Sequence, residues 1–381
     1  MQEKRGAAVA VASAVVALAV AVGLFTAPGE GDGPAGGPDA DRARSGTSRV
    51  PVPRPPSSLP ASPTPSPPAS PSAVPSVVRT TAPSTPLREQ RRSAPLYLHP
   101  ESQVRDWIRD NPGDWRRAVI ESRIAHRPAA VWFTEYAPET ITSRVRAVTS
   151  GAAAEGRVPV LVAYAVPDRD CGGASAGGAP DLAAYGGWID RFAAGLGSGE
   201  VVVILEPDAI AQSDCLPEGP RAERLAALAR AGRVLTAANP RARVYYDAGH
   251  SHWNAPAHQA ALLERAGAGS AASAGIFSNV SNFRRTSDEV AYDRKVLDAL
   301  VALGGRAGLG AVIDTSRNGA GPPADGRWCD PDGRRIGRAP TLDTGEARID
   351  GYLWVKLPGE SDGCKGAAGA FSPSYAYELA R

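Results

Sequence analysis

The sequence predicts an α/β fold: a distorted seven-stranded parallel (β/α) barrel, TIM-barrel-like in plan. Three observations predict it. Seven short apolar runs alternate with longer amphipathic stretches. The runs are apolar almost without interruption, as strands buried on both faces of a parallel sheet are. Nearly every run also ends in polar or ionisable residues, which a parallel barrel gathers on one face.

The runs fall at residues 129–133, 158–164, 201–205, 243–246, 275–278, 309–313 and 351–355. Helical patterns lie between them, at 181–196, 220–237, 256–266 and 288–303. Seven units make a barrel one strand short of the usual eight, and an open doubly wound sheet is the alternative. Run two ends at Tyr164 and leads to Asp168 and Asp170. Run three ends in Glu206-Pro207-Asp208, run four in Asp247, run five in Asn279 with Asn282 beyond, and run six in Asp314. Run seven ends in Lys356, with Glu360 and Asp362 following. Asp and Asn also cap helices and make turns, which accounts for any one of them singly. It accounts less well for carboxylates after five different runs, beside a Lys in a chain with only four Lys against 38 Arg.

Residues 95–381 form the expected catalytic domain, and what precedes them has another composition. Lys4 and Arg5 are followed by an uncharged apolar run from Ala7 to Ala27, the pattern of an export signal. The run is long for a signal, and Phe25 sits badly for cleavage after Ala27, so a cleaved signal peptide (1–27) and a membrane anchor through residues 7–27 both fit. Residues 28–94, rich in Pro, Ala and Ser, read as a disordered linker that cannot bury enough apolar area to fold. Either way the folded part is expected outside the cell, as a secreted or anchored monomer.

Of the 42 Lys+Arg and 40 Asp+Glu, 10 and 6 fall before Pro95, which leaves 32 and 34. The folded part is therefore slightly acidic, with no basic stripe to recruit nucleic acid. Four scattered cysteines, Cys171, Cys215, Cys329 and Cys364, read behind an export signal as two disulfides. Among the five His, only His250-Ser251-His252 resembles a metal motif, and no second cluster would close it. No Gly-rich phosphate loop follows a run, and no GxSxG elbow is present. No cofactor and no metal are expected.

Carboxylates crowded around one pocket repel, so one is held protonated while another stays ionised. That pair suits glycoside hydrolysis, which needs an acid for the leaving oxygen and a base or nucleophile opposite. Trp132, Tyr164, Trp253 and Trp328 lie at or near run ends and suit sugar stacking, whereas Trp354, inside a run, reads as core.

These residues fall in blocks that resemble glycoside hydrolase family 6, the family of bacterial endoglucanases and cellobiohydrolases. The blocks are VLVAYAVPDRDCGGASAGG (160–178), VVVILEPDAIAQSDC (201–215), VYYDAGHSHW (244–253), NVSNF (279–283), DTSRNG (314–319), WCDPDGRRIG (328–337) and YLWVKLPGESDGC (352–364). The resemblance implies that Asp208 is the catalytic acid, that Asp170 tunes it and supports activation of the water, and that Asp362 is the candidate base. A relay through water and loop residues is the competing view of the base. Inversion at the anomeric carbon would follow, with carboxylates about 6.5–9.5 Å apart rather than about 5–5.5 Å. Ser175, in a Gly-rich loop, would help hold the water, and Tyr164 would lie beneath the sugar being cleaved. Asp247, His250, Asn282, Lys356 and Glu360 would bind substrate, and Trp132, Trp253 and Trp328 would stack on it. The cysteines would pair 171 with 215 and 329 with 364. Ala165 and Leu357 depart from the family's usual residues but remove no titrating group.

Short segments between blocks imply an open cleft and hence an endo-acting β-1,4-glucanase. An exo-acting cellobiohydrolase, and more remotely a non-catalytic sugar-binding protein, are the alternatives.

Overall fold

The computed structural model describes residues 94–381; the expected signal or anchor and nearly all of the linker lie outside them. Seven strands form one sheet in the order β1-β2-β3-β4-β5-β6-β7: Val131–Phe133, Val160–Ala163, Val201–Leu205, Ala242–Asp247, Gly275–Ser278, Gly310–Asp314 and Ile349–Leu353. Every neighbouring pair is parallel. Since each crossover leads to the next strand, the sheet curls rather than doubling back. The N–H of Ala130, before β1, donates to the carbonyl of Trp354, after β7, over 2.9 Å. The edges thus approach without forming an eighth strand, and the open doubly wound alternative falls.

The alternation of side chains along each strand builds two cores. Val160, Val162, Tyr164, Val202, Ile204, Tyr245, Phe277 and Val312 pack together on one face. Leu161, Val203, Leu205, Val244, Ile276 and Ile313 face the opposite way, against the helices. Those helices are α3 (Ile141–Ala154), α4 (Leu182–Ala194), α5 (Glu218–Ala238), α6 (Pro256–Arg265) and α7 (Thr286–Ala302); α1 (Gln103–Asp110), α2 (Arg117–Ile120) and α8 (Pro373–Ala380) pack as a separate group around Trp354 and Leu357. Local signals explain the starts. Asp181 accepts the N–H of Ala184 at 2.7 Å to cap α4, and proline opens α6 and α8. Gly232 lets α5 approach β4, since a Cβ there would lie 1.7 Å from the Tyr246 hydroxyl.

Five strands differ from expectation, β6 by starting and ending one residue later. Strands β1 and β2 are shorter, because Ala130 bonds to Trp354 and Val158 bridges to Leu96 instead of continuing its strand. Strand β4 runs one residue further at each end, to include Asp247. Strand β7 lies two residues earlier, so Trp354 sits just past its end; it is core, as expected, with its Nε1 donating to the Arg338 carbonyl.

Candidate active site

The strand ends carry a strained rim. Asp168, Asp170, Cys171, Glu206, Asp208, Asn279 and Ser281 all have positive φ, between 46° and 69°. Asp and Asn tolerate this left-handed region better than most residues, and such strain gathers at sites where side chains must be aimed. Above the rim lies a groove of about 1250 Å³. Asp170, Asp208 and Asp362 all line it, with Trp132, Tyr164, Ser175, His250, Trp253, Asn282, Trp328, Lys356 and Glu360. Of the residues to which the resemblance gave catalytic or substrate-binding roles, only Asp247 does not.

Asp247 has a different post. It is 2% exposed, and its carboxylate accepts the N–H groups of Ile210 (3.2 Å), Ala211 (2.8 Å) and Gly249 (2.9 Å). It braces the turn that carries Asp208, where the resemblance had placed a substrate ligand. Two more strand-end carboxylates do the same work. Glu206, fully buried, accepts from Ala165 and Val166 at 2.9–3.0 Å. Asp314 accepts from Ser281, Ser316, Val355 and Lys356 at 2.9–3.3 Å. Burial pushes Glu206 up to about 7 and Asp247 up to about 6, against the pull of those amides. Ala165, one of the two departures from the family pattern, is fully buried and meets Glu206 through its backbone.

The wall around Asp208 therefore holds several carboxyl groups and, among the described residues, no ion pair to any of them. Burial first, then the charges of Asp247 and Asp170, raise the pKa of Asp208 well above the ordinary carboxylate range. Facing it, Oδ2 of Asp170 accepts both the N–H (2.9 Å) and the hydroxyl (3.0 Å) of Ser175. The Ser175 Oγ also meets the Tyr164 hydroxyl at 2.8 Å. Tyr164 stands edge-on to Trp132 at 5.3 Å, and burial and Asp208 hold its phenol protonated. Arg169 ties the Ser175 loop down, donating to the carbonyls of Ser175 (2.8 Å), Thr134 (2.5 Å) and Tyr164 (2.5 Å). The Cys171–Cys215 disulfide joins this loop to the segment after Asp208.

The opposite wall is paired. Asp362, 8% exposed, accepts Nη1 of the fully buried Arg317 at 2.7 Å and the N–H of Asp330 at 3.1 Å, with Lys356 Nζ 3.6 Å away. Asp330 in turn accepts from Ser361, Asp362, Cys364 and Lys365 at 2.6–3.0 Å, and the Cys329–Cys364 disulfide closes the same loop. Gln103, from α1, reaches Glu360 at 3.1 Å, and burial lifts Glu360 to about 7. Burial, helped by Arg284 and His252, lowers His250 to about 4, so it is neutral at working pH. Both disulfides pair as the resemblance implied.

Sequence reasoning missed Arg169, Arg317, Glu206 and Asp330 as organisers of the site. Arg169 and Arg317 stand beside Asp170 and within DTSRNG, where a cation next to a strand-end acid was the available signal.

Known proteins are similar to this chain in sequence and fold. The chain is 56% identical over 281 residues to Endoglucanase 1 of Streptomyces sp. (strain KSM-9), covering 74% of this chain and 76% of that protein. It is 46% identical over 288 residues to Endoglucanase A of Thermobispora bispora, covering 75% and 62%. Its fold superposes on the endoglucanase Cel6 of Mycobacterium tuberculosis, solved in complex with methyl-cellobiosyl-4-deoxy-4-thio-β-D-cellobioside, with a TM-score of 0.69 and 40% identity, covering 75% of this chain and 96% of that one. The family description "Glycosyl hydrolases family 6" matches residues 92–380, and the chain belongs to that family.

Proposed function

We propose that the protein is an inverting endo-β-1,4-glucanase that cuts internal linkages of cellulose or a related β-glucan outside the cell. One observation carries this reading. A carboxyl group forced toward its protonated form, Asp208, lies in the same groove as a hydrogen-bonded Asp170–Ser175–Tyr164 array and an ion-paired carboxylate, Asp362. The relatives named endoglucanase support the substrate, and two disulfides suit an oxidising compartment.

The chemistry follows from where protons can go. Asp208 gives its proton to the glycosidic oxygen as that bond breaks. A water held by Ser175 attacks the anomeric carbon from the other face and loses a proton through Ser175 to Asp170. Asp170 then returns it to Asp208. Asp362 already receives Arg317, Lys356 and the Asp330 amide, and we assign it the fixed negative charge facing the developing oxocarbenium ion. The reading with Asp362 as the base itself differs in one respect: Asp362→Asn would then cost as much as Asp208→Asn. Trp132 and Trp253 stack on sugar faces, while Lys356 and Glu360 bind hydroxyls.

Reducing ends released from carboxymethyl cellulose test the acid. Asp208→Ala is expected to lower the rate about 10²–10⁴-fold. An unchanged rate refutes the assignment. The anomer first released is expected to be α; β at the outset excludes inversion. Viscosity falling faster than reducing ends appear is expected of internal cleavage, and the opposite order favours the exo reading.

A further inference from the structure

The groove does not end at Glu360. At that end Gln103 spans from Glu360 to the carbonyl of Gly369, and its own Oε1 accepts the N–H of Phe371 at 3.0 Å. From Phe371 a line of contacting side chains, half-buried until it reaches Trp115, leads away from Gln103. Trp107, one turn along α1 from Gln103, lies 6.0 Å from Phe371. The Arg116 guanidinium sits 5.7 Å from the Trp107 ring and 5.8 Å from that of Trp115. Trp115 then packs edge-on to Tyr377 of α8 at 4.7 Å.

Trp115 is 71% exposed, more than any other large hydrophobic residue described, Trp328 on the groove rim included. A lone exposed indole needs no explanation by itself, but this one stands at the end of a row of rings. Here it is also held still. Asp114 grips Arg116 through two bonds, at 3.0 and 2.7 Å, and Ser374 takes a third at 2.7 Å. The guanidinium is thereby fixed close to both indoles, and Tyr377 packs edge-on to Trp115. A ring already fixed in place loses little freedom on binding. Tryptophan and tyrosine rings present a flat π-face to C–H groups, with arginine nearby to meet hydroxyls.

We infer that Trp115, with Tyr377 and Arg116, forms an accessory binding platform for a β-linked glucan chain. It would hold the polymer that continues out of the groove past Glu360 and Phe371. The occupant is argued from continuity: the half-buried Phe371 and Trp107 lie between Gln103, which lines the end of the groove, and the exposed Trp115. The inference rests on the proposed β-glucan substrate and adds a contact remote from the reacting bond.

The test uses the full chain and two readouts: depletion binding to amorphous cellulose, and the rate of cleaving a short soluble cello-oligosaccharide that fills the groove alone. Trp115→Ala is expected to weaken cellulose binding roughly five- to tenfold and leave the oligosaccharide rate unchanged. Trp115→Tyr is expected to fall between. Unchanged binding in Trp115→Ala overturns the inference, and so does an equal loss in both readouts, which marks a structural prop. Stronger binding after the substitution also overturns it, since the platform would then be covered by the chain's own N-terminal segment. Failure of the wild type to cleave the oligosaccharide counts against the proposed function and leaves the binding comparison standing.

Discussion

The two walls of the groove treat acidic side chains in opposite ways. Around Asp208, carboxyl groups are packed close, accept backbone N–H groups or Ser175, and make no ion pair among the described residues, the pull of Arg169 on Glu206 ranking behind burial. Around Asp362 the acid is locked between Arg317 and Lys356. Burial, and then crowding without ion pairs, favours a proton on the Asp208 wall, which the proposed mechanism asks to give one up. Counter-charge on the other wall keeps a negative group in place at a depth where a lone carboxylate would be costly. The contrast teaches that Asp208 is held protonated by burial and by its acidic neighbours.

The largest effect should come from removing the donor. Asp208→Asn is expected to lower kcat on carboxymethyl cellulose about 10²–10⁴-fold and to erase the alkaline limb of the pH profile. The sign follows from the role: a general acid works only while protonated, so wild-type activity falls as pH rises through the elevated Asp208 pKa. A retained alkaline limb would assign it to another group. Next, Arg317→Leu leaves Asp362 buried with Lys356 as its remaining cation. A loss of about 3–5 kcal/mol in unfolding free energy is expected. A loss below about 1 kcal/mol would show that the paired wall is not held by this ion pair.

Glu206 probes the crowded wall through stability. Its folded pKa, about 7, lies above its ordinary value of 4.5. The folded state therefore binds the extra proton, and stability is full below about pH 4 and falls as pH rises toward 7. Glu206→Gln is expected to flatten that fall by up to about 3 kcal/mol, read from denaturant midpoints at pH 5 and 8. An unchanged slope would mean the crowded wall does not store that penalty at Glu206. The smallest effect belongs to the rim. Trp328→Ala, at a residue 57% exposed, should raise KM on soluble glucan roughly three- to fivefold and leave kcat alone.

Much of this was legible beforehand, for a physical reason. A buried parallel strand is a continuous apolar run, so all seven were visible, and strand ends in a barrel point at the site. The helix α3 escaped notice. Its buried side, Ile141, Val145, Val148 and Ala152, is set among Ala, Thr, Ser and Gly, which give little contrast. The roles of Glu206, Asp247 and Asp314 were hidden as well. An acid after a strand looks the same in sequence whether it faces solvent, substrate or its own backbone. Only the direction of the side chain separates Asp208 from Asp247. Arg317 was obscured for a related reason, since its acid lies 45 residues further on.

The missing eighth strand has one more consequence. Residues on both sides of the seam, Ala130 and Trp132 on one edge and Trp354 and Lys356 on the other, also floor the groove, and few backbone bonds stitch them together. On the endo-acting reading proposed above, such a seam would serve as the floor of a slot. A polymer could then be laid in sideways at any point along its length, cut, and lifted out. Few consecutive cuts per encounter, and fragments of mixed size from the first minutes, are the expected signature.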